Sequence, residues 1–323
     1  MKRRELLLLG ATLAWPGATS AQQPRKLHRV GVLESIPLAS NRNFPAFQRG
    51  LRELGYVEGQ NLLIEYRSSD GMAERFPELM LDLVRLKADV VLVRGTPAAM
   101  AAKRAGTIPV VMAASADPVG PGVVSSLAHP GGNVTGLTTL VSELAGKRLA
   151  ILKELVPSTA RIAALLGVNN PVRAGQWAEI EKAARKLELE ARMLDVQNAE
   201  SLRSAFTAAV AARTDALLIS NEGLLLANRR MIVELAAQHS LPAMYAAREF
   251  VDIGGLISYG VLYPDLYYRA ATYVDKVLKG AKPADLPIGQ PNKLELVVNQ
   301  KTAEALGLKI PLSLRVRADE VLV

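Results

Sequence analysis

The residues able to do chemistry in this chain are of few kinds. There is no cysteine, and the three histidines, His28, His129 and His239, lack the spacing of metal ligands. No Gly-x-Ser-x-Gly elbow marks a serine nucleophile. A hydrolase or a metal centre therefore has little to stand on, and no cofactor or metal is expected. What remains is a set of polar residues placed directly after short apolar runs. They are Ser35 after "RVGVLE", Thr96-Pro97 after "DVVLVRG", Asp117 after "IPVVMAASA", Asn169-Asn170 after "RIAALLGV" and Asn221-Glu222 after "DALLIS". Arg248 follows "PAMYAA", in which Tyr245 lies, and Tyr259 is placed after the final strand, towards the end of "GLISYG". Such groups suit non-covalent recognition of a small polar molecule.

The runs that carry these residues alternate with longer amphipathic segments. "NFPAFQRGLRELG", "AERFPELMLDLVRLK" and "PAAMAAKRAG" read as helices between strands, and the rhythm restarts after "PGGNVTGL". Near-continuous apolar strands separated by helices predict an α/β fold of parallel sheets covered on both faces. The restart resembles an internal repeat. Asp89 and Asp215 each precede a strand, and Pro109 and Pro242 each open the next one. Two doubly wound lobes of one design are the simplest explanation, although βα units share such punctuation generally. Ligands of doubly wound sheets bind at the carboxyl ends of the strands. A cleft between the two lobes is thus the expected site.

Two readings stand side by side for the best candidates. Thr96 suits a helix N-cap and Pro97 the first helical position, so the free N–H groups of that turn are placed to hold a carboxylate. An ordinary structural cap explains the same two residues. Asp117 and Glu222 are taken as acids at matching places in the two lobes, either of which could meet a ligand ammonium; turn or helix capping is the alternative. Six tyrosines fall between 245 and 273, and only Tyr245 or Tyr259 is expected near the cleft.

At 323 residues and 50% hydrophobic, the chain can bury a large core in two domains. Its net charge of +8 is scattered rather than gathered into a patch, which argues against nucleic-acid binding. The N-terminus "MKRRELLLLGATLAWPGATSAQQ" has the basic, apolar and small-residue order of a secretory signal peptide, with cleavage expected near Ala21. Removing residues 1–21, which include Lys2, Arg3, Arg4 and Glu5, lowers the net charge to +6.

The motifs "GLRELGYVEGQNLLIEYR", "TPAAMAAKRAGTIPVVMAASADPVGPGVVSSLAHPGGNVTGLT", "KRLAILKELVP" and "REFVDIGGLISYG" resemble the periplasmic substrate-binding proteins of ABC transporters, as does the C-terminal "LPIGQPNKLELVVNQKTAEALGLKIPLSLRVRADEVL". The likeness is to the family with tryptophan- and tyrosine-binding members and spans the mature chain. It implies a type I periplasmic-binding fold: a signal peptide over 1–21, lobe 1 from 28–138 plus 263–323, and lobe 2 from 139–262, joined by three crossovers. It implies a monomeric, non-catalytic protein of the periplasm. Such a protein captures a small carboxylate-bearing molecule, an amino acid or an aromatic or organic acid, and delivers it to a permease in the inner membrane. The family's pattern falls on Ser35, Thr96, Asp117, Asn169, Glu222 and Tyr259, with a departure at Glu222-Gly223, where relatives more often carry an aspartate. A secreted α/β enzyme and the ligand-binding core of a transcriptional regulator are the alternatives.

Overall fold

The computed structural model describes residues 26–106, 108–139 and 144–323, so the segment read as a signal peptide lies outside the described residues. The first sheet holds β1 (His28–Glu34), β2 (Leu62–Ser68), β3 (Val90–Arg94), β4 (Val110–Ser115) and β5 (Val134–Thr138). Its order is β2-β1-β3-β4-β5, all parallel. The next five strands, β6 (Arg161–Gly167), β7 (Glu190–Val196), β8 (Ala216–Ile219), β9 (Ala243–Tyr245) and β10 (Ile257–Val261), repeat that order as β7-β6-β8-β9-β10. They too are parallel. Two further strands, β11 (Leu294–Asn299) and β12 (Glu320–Leu322), extend the second sheet to seven.

In the first lobe lie α1 (Phe44–Glu53), α2 (Phe76–Arg85) and α3 (Thr96–Ala105). The second is covered by α4 (Ala145–Leu155), α5 (Arg173–Lys186), α6 (Ala199–Ala211), α7 (Gly223–Ala227), α8 (Arg229–Gln238) and α9 (Arg248–Val251). The chain ends with α10 (Tyr263–Leu278), α11 (Gln300–Ala305) and α12 (Leu312–Arg317). Strand side chains alternate between two apolar layers, Val90 and Leu92 on one face and Val91 and Val93 on the other. Burial on both faces is why these strands read as unbroken apolar runs.

The repeat has a structural cause. Val30 pairs with Val90 in the first sheet, and Ile162 pairs with Ala216 at the same place in the second. Just ahead of each pair an aspartate ties two strands together. Asp89 accepts the Arg29 N–H at 2.7 Å, and Asp215 accepts those of Arg161 at 2.7 Å and Ala160 at 3.0 Å. Without these carboxylates the N–H groups of Arg29, Ala160 and Arg161 would lack partners.

One boundary differs from expectation. Helix α10 packs on α1, and Tyr267, Ala270 and Val274 enter the first lobe's core. Residues 294–323 do not follow it. Strand β11 runs antiparallel to β10, and Ala303, Ile310 and Leu314 are buried in the second lobe. The open edge of β10 draws them there, because "LELVVN" is apolar enough to be covered on both faces, with Leu296 and Val297 buried against different layers. The chain thus passes between lobes after β5, at Leu262 and between α10 and β11.

Replacing Asp215 with Ala is expected to lower unfolding free energy by about 1–3 kcal/mol, since two backbone donors lose their acceptor. Burial raises the Asp215 pKa, but the Ala160 and Arg161 donors lower it by more, leaving it below the usual carboxylate value. Its stabilising contribution is complete above about pH 4 and fades as pH falls through the depressed pKa. Urea midpoints of wild type and Asp215→Ala should therefore converge on acidification.

Candidate functional site

A cavity of about 360 Å³ lies between the lobes at the carboxyl ends of their strands. Ser35, Thr96 and Pro97 line it from the first lobe, and Asn169, Asn221 and Glu222 from the second. The lobes are closed over it. Ile36, just past β1, is buried in the core of the second lobe, and Ala247 of the second lobe is buried in that of the first. At the cleft edge a β-carbon built on Gly223 would lie 2.8 Å from the Ser35 Cβ.

The Gly95-Thr96-Pro97 corner is built one residue differently from expectation. Gly95 is the N-cap of α3, at φ 86°, a left-handed value that favours glycine. Thr96 and Pro97 are then the first two helical residues. No side chain caps this end. The Thr96 hydroxyl instead shares a buried hydrogen bond of 3.0 Å with Ser115 Oγ. The first-turn N–H groups of Thr96 and Ala98 thus lack helical acceptors, and the positive end of the helix faces the cavity.

Beside that terminus is a residue that sequence reasoning missed. Arg94, the last residue of β3, lines the cavity and is 6% exposed. Its guanidinium lies 4.6 Å from the ring centroid of Tyr263 and forms an ion pair of 3.5 Å with Glu249. Neither terminal nitrogen makes a full hydrogen bond. Burial alone lowers its pKa, but the groups facing it, led by Tyr267, Glu249 and Glu34, hold it above the ordinary value. Tyr267 donates to Glu34, whose own pKa is raised by burial. The signal was present in "VVLVRG", a lone charge closing an apolar strand.

The second lobe supplies an acid. Glu222 Oε1 accepts from Gly167 N at 2.5 Å and Ser220 Oγ at 2.9 Å. The carboxylate can lie this close only because residue 167 has no Cβ, which would stand 2.8 Å from Oε2. Burial pushes the Glu222 pKa up, and those two donors recover only part of the shift. Register makes Glu222 the counterpart of Thr96, six residues beyond Ala216 as Thr96 is beyond Val90. The matching of Glu222 with Asp117 is therefore corrected, since Asp117 follows β4.

Four expected residues lie elsewhere. Asp117 Oδ1 accepts from Val119 N at 2.9 Å and Gly120 N at 3.0 Å, holding its own turn. Tyr245 is buried in the second core, stacked on Phe250 at 4.9 Å. Arg248 opens α9 and pairs with Asp252, Glu295 and Glu320. Tyr259 falls inside β10 rather than after it, packed on the second core, and its carbonyl accepts from Arg148 Nε at 2.7 Å. Of the six tyrosines between 245 and 273, it is Tyr263 rather than Tyr245 or Tyr259 that lines the cavity.

Comparison with known proteins agrees with this geometry. The family model for ABC transporter substrate binding proteins matches residues 38–322. The chain belongs to that family. It is similar to a tyrosine-binding protein of Clostridioides difficile, 25% identical over 88% of this chain and 82% of that one. Among solved structures it resembles an ABC domain in complex with L-Trp from Streptococcus pneumonia, with TM-score 0.84 and 29% identity. It also resembles a conserved domain protein from Vibrio cholerae, with TM-score 0.85 and 27% identity. Each likeness covers 92% of this chain and 100% of the other. Among the described residues no helix is long and apolar enough to cross a membrane.

In the cysteine-free chain, the double variant Ser35→Cys/Gly223→Cys is expected to cross-link on mild oxidation. A disulfide needs a Cβ separation of about 3.5–4.5 Å, which the closed lobes reach by parting about 1 Å. Non-reducing electrophoresis and intact mass read the bond; its absence would place the cleft edges farther apart.

Proposed function

We propose that this substrate-binding protein closes its lobes over a small carboxylate-bearing molecule and delivers it to an ABC permease. The observation that carries the reading is Arg94, a buried guanidinium with both terminal nitrogens lacking a full hydrogen bond, adjoining the uncapped N-terminus of α3. A carboxylate fits both. Its oxygens can accept from the guanidinium fork and from the Thr96 and Ala98 N–H groups, and charge-assisted bonds of this kind are the strong ones. Across the cleft Glu222 and Asn221 suit an ammonium or hydroxyl group, and Phe76 and Leu224 give apolar wall for a hydrocarbon or ring. An amino acid meets all of these, and an aromatic or organic acid meets the first and last. The relatives that bind tyrosine and L-Trp make those two the first probes.

Export follows from the N-terminal segment, whose order is that of a signal peptide, and from the family's work of handing solutes to membrane permeases. Recognition by a permease then falls to the outer faces of the closed lobes. Binding rather than turnover is favoured because the cavity lining pairs one guanidinium with the buried Glu222 carboxyl, amides and hydroxyls, and its other two carboxylates, Asp70 and Glu74, are exposed at the surface.

Titration calorimetry with L-tryptophan, L-tyrosine, other amino acids and aromatic acids tests the reading, with tryptamine and tyramine as carboxylate-free controls. Saturable binding that the amines fail to reproduce is expected. Arg94→Gln should weaken it at least about thirtyfold, the lower end of the 2–5 kcal/mol set by removing one partner of a buried charge pair. A panel in which amines bind as well as acids would overturn the carboxylate assignment.

Acidity adds a second check. Because the Glu222 pKa is raised, Glu222 takes up its proton above the usual carboxylate range as pH falls. An ammonium-bearing ligand then loses its partner, so affinity for amino acids should decline on acidification, starting at a higher pH than an ordinary glutamate would set. Affinity for acids without an amine should hold steady over the same fall in pH, and Glu222→Gln should remove the difference.

A further inference from the structure

The Arg94 guanidinium meets more than the cavity. Its ion-pair partner, Glu249, is a second-lobe residue, the second of α9, whereas Arg94 closes a strand of the first lobe. Both side chains are only 7% exposed. Asn43, from the start of α1 in the first lobe, donates Nδ2 to Glu249 Oε1 at 2.8 Å. One carboxylate of the second lobe is therefore gripped by two residues of the first. Glu249 Oε2 is buried and has no hydrogen-bond partner. A second bridge between the lobes, Arg42 to Asp252 at 2.5 Å, has an arginine that is 64% exposed.

We propose that Glu249 is a positioning residue: from the second lobe it holds the Arg94 guanidinium against Tyr263, so that lobe closure is locked through the same cation that faces the ligand. The pair is set at 3.5 Å without a full hydrogen bond, which leaves both terminal nitrogens of Arg94 for an incoming carboxylate. When the lobes part, Arg94 and Glu249 separate with them and each returns to water. When they close, each buries a charge that the other must match, because an unmatched buried ion is far more costly than a matched one. The Arg42–Asp252 bridge, whose arginine is exposed though its aspartate is buried, loses little on parting because Asp252 keeps Arg248 as a partner. This extends the reading of the cleft as the ligand site, but closure can be followed without any ligand, so failure of L-tryptophan or L-tyrosine to bind bears on that reading alone.

The test uses the Ser35→Cys/Gly223→Cys protein, whose oxidative cross-linking rate rises with the fraction of time the cleft edges lie within about 1 Å of full closure and falls as the lobes swing apart. Cysteine reactivity is normalised with a monofunctional maleimide. Adding Glu249→Gln, which keeps the side chain's shape and its acceptor for Asn43, should slow cross-linking about tenfold. Adding Arg42→Ala should leave the rate within about twofold. Circular dichroism confirms folding. Should Glu249→Gln fold poorly, Arg94→Gln, which removes the other partner of the pair, replaces it and should slow cross-linking to a similar degree. Near 1 M salt, where the Debye length is about 3 Å, the buried pair keeps its hold and the rate should stay within about twofold. Cross-linking at the parent rate in Glu249→Gln, an equal slowing by Arg42→Ala, or a large loss of rate in high salt would each overturn the proposal.

Discussion

A guanidinium taken out of water must be matched, and the arrangement around Arg94 answers that requirement. Left alone at 6% exposure, such a cation would be among the most costly groups in the molecule. Its environment is assembled from distant parts of the chain. Glu34 closes the strand beside it, Tyr263 and Tyr267 come from α10 after the chain has crossed back, and Glu249 comes from the other lobe. The chain's return to the first lobe in α10 therefore also has an electrostatic role. The seam is completed by shape, with Ile36 and Ala247 exchanged between the two cores. Closing the lobes and stabilising the cation are one event.

The two lobes repeat one unit, and their differences lie at the carboxyl ends of the strands. Asp89 and Asp215 perform the same task at the far end of the strands, where the repeat is kept. At the near end, Thr96 and Glu222 occupy matching positions with opposite character. One opens a ten-residue helix whose free N–H groups carry partial positive charge; the other is an acid held over Gly167. A duplicated scaffold thus presents a cationic wall facing an acidic one, which a ligand of mixed polarity can bridge.

Much of this was legible in the sequence. Apolar runs of strand length, the paired aspartates and the corner at Gly95 predict two parallel-sheet lobes with strand-end loops gathered between them, and six of the ten expected residues line the cavity. The misses share a physical cause. A residue's place along a strand says which end it occupies, but which way it faces depends on register and twist. Tyr245 and Tyr259 are therefore strand residues of the core, and Arg94 within an apolar strand was passed over because such strands are read as packing. Asp117 satisfies its own turn, a local use that spacing cannot distinguish from a ligand contact. Glu249 has meaning only across the lobes, over 155 residues of chain from Arg94, and no local pattern reports such a pairing. Strands β11 and β12 join the second sheet because its edge is free, a fact about topology rather than composition.

The energetic difficulty of the site is also the source of its discrimination. A cavity lined by apolar groups alone separates ligands by about 1–3 kcal/mol per methylene, whereas one holding buried polar groups penalises any ligand that leaves them unpaired. Arg94 lacks full hydrogen bonds at both terminal nitrogens and Gln176 Oε1 has no partner, so the closed cleft carries donors and an acceptor still to be met. A molecule that matches them gains charge-assisted bonds in a dry environment, where they are stronger than in water. On the proposed reading, one that does not match them would keep water in the cleft and hold the lobes apart, so selection would act through closure itself. Affinity and conformation are then read by the same few atoms, which is why a cation so costly to bury is placed where the two lobes meet.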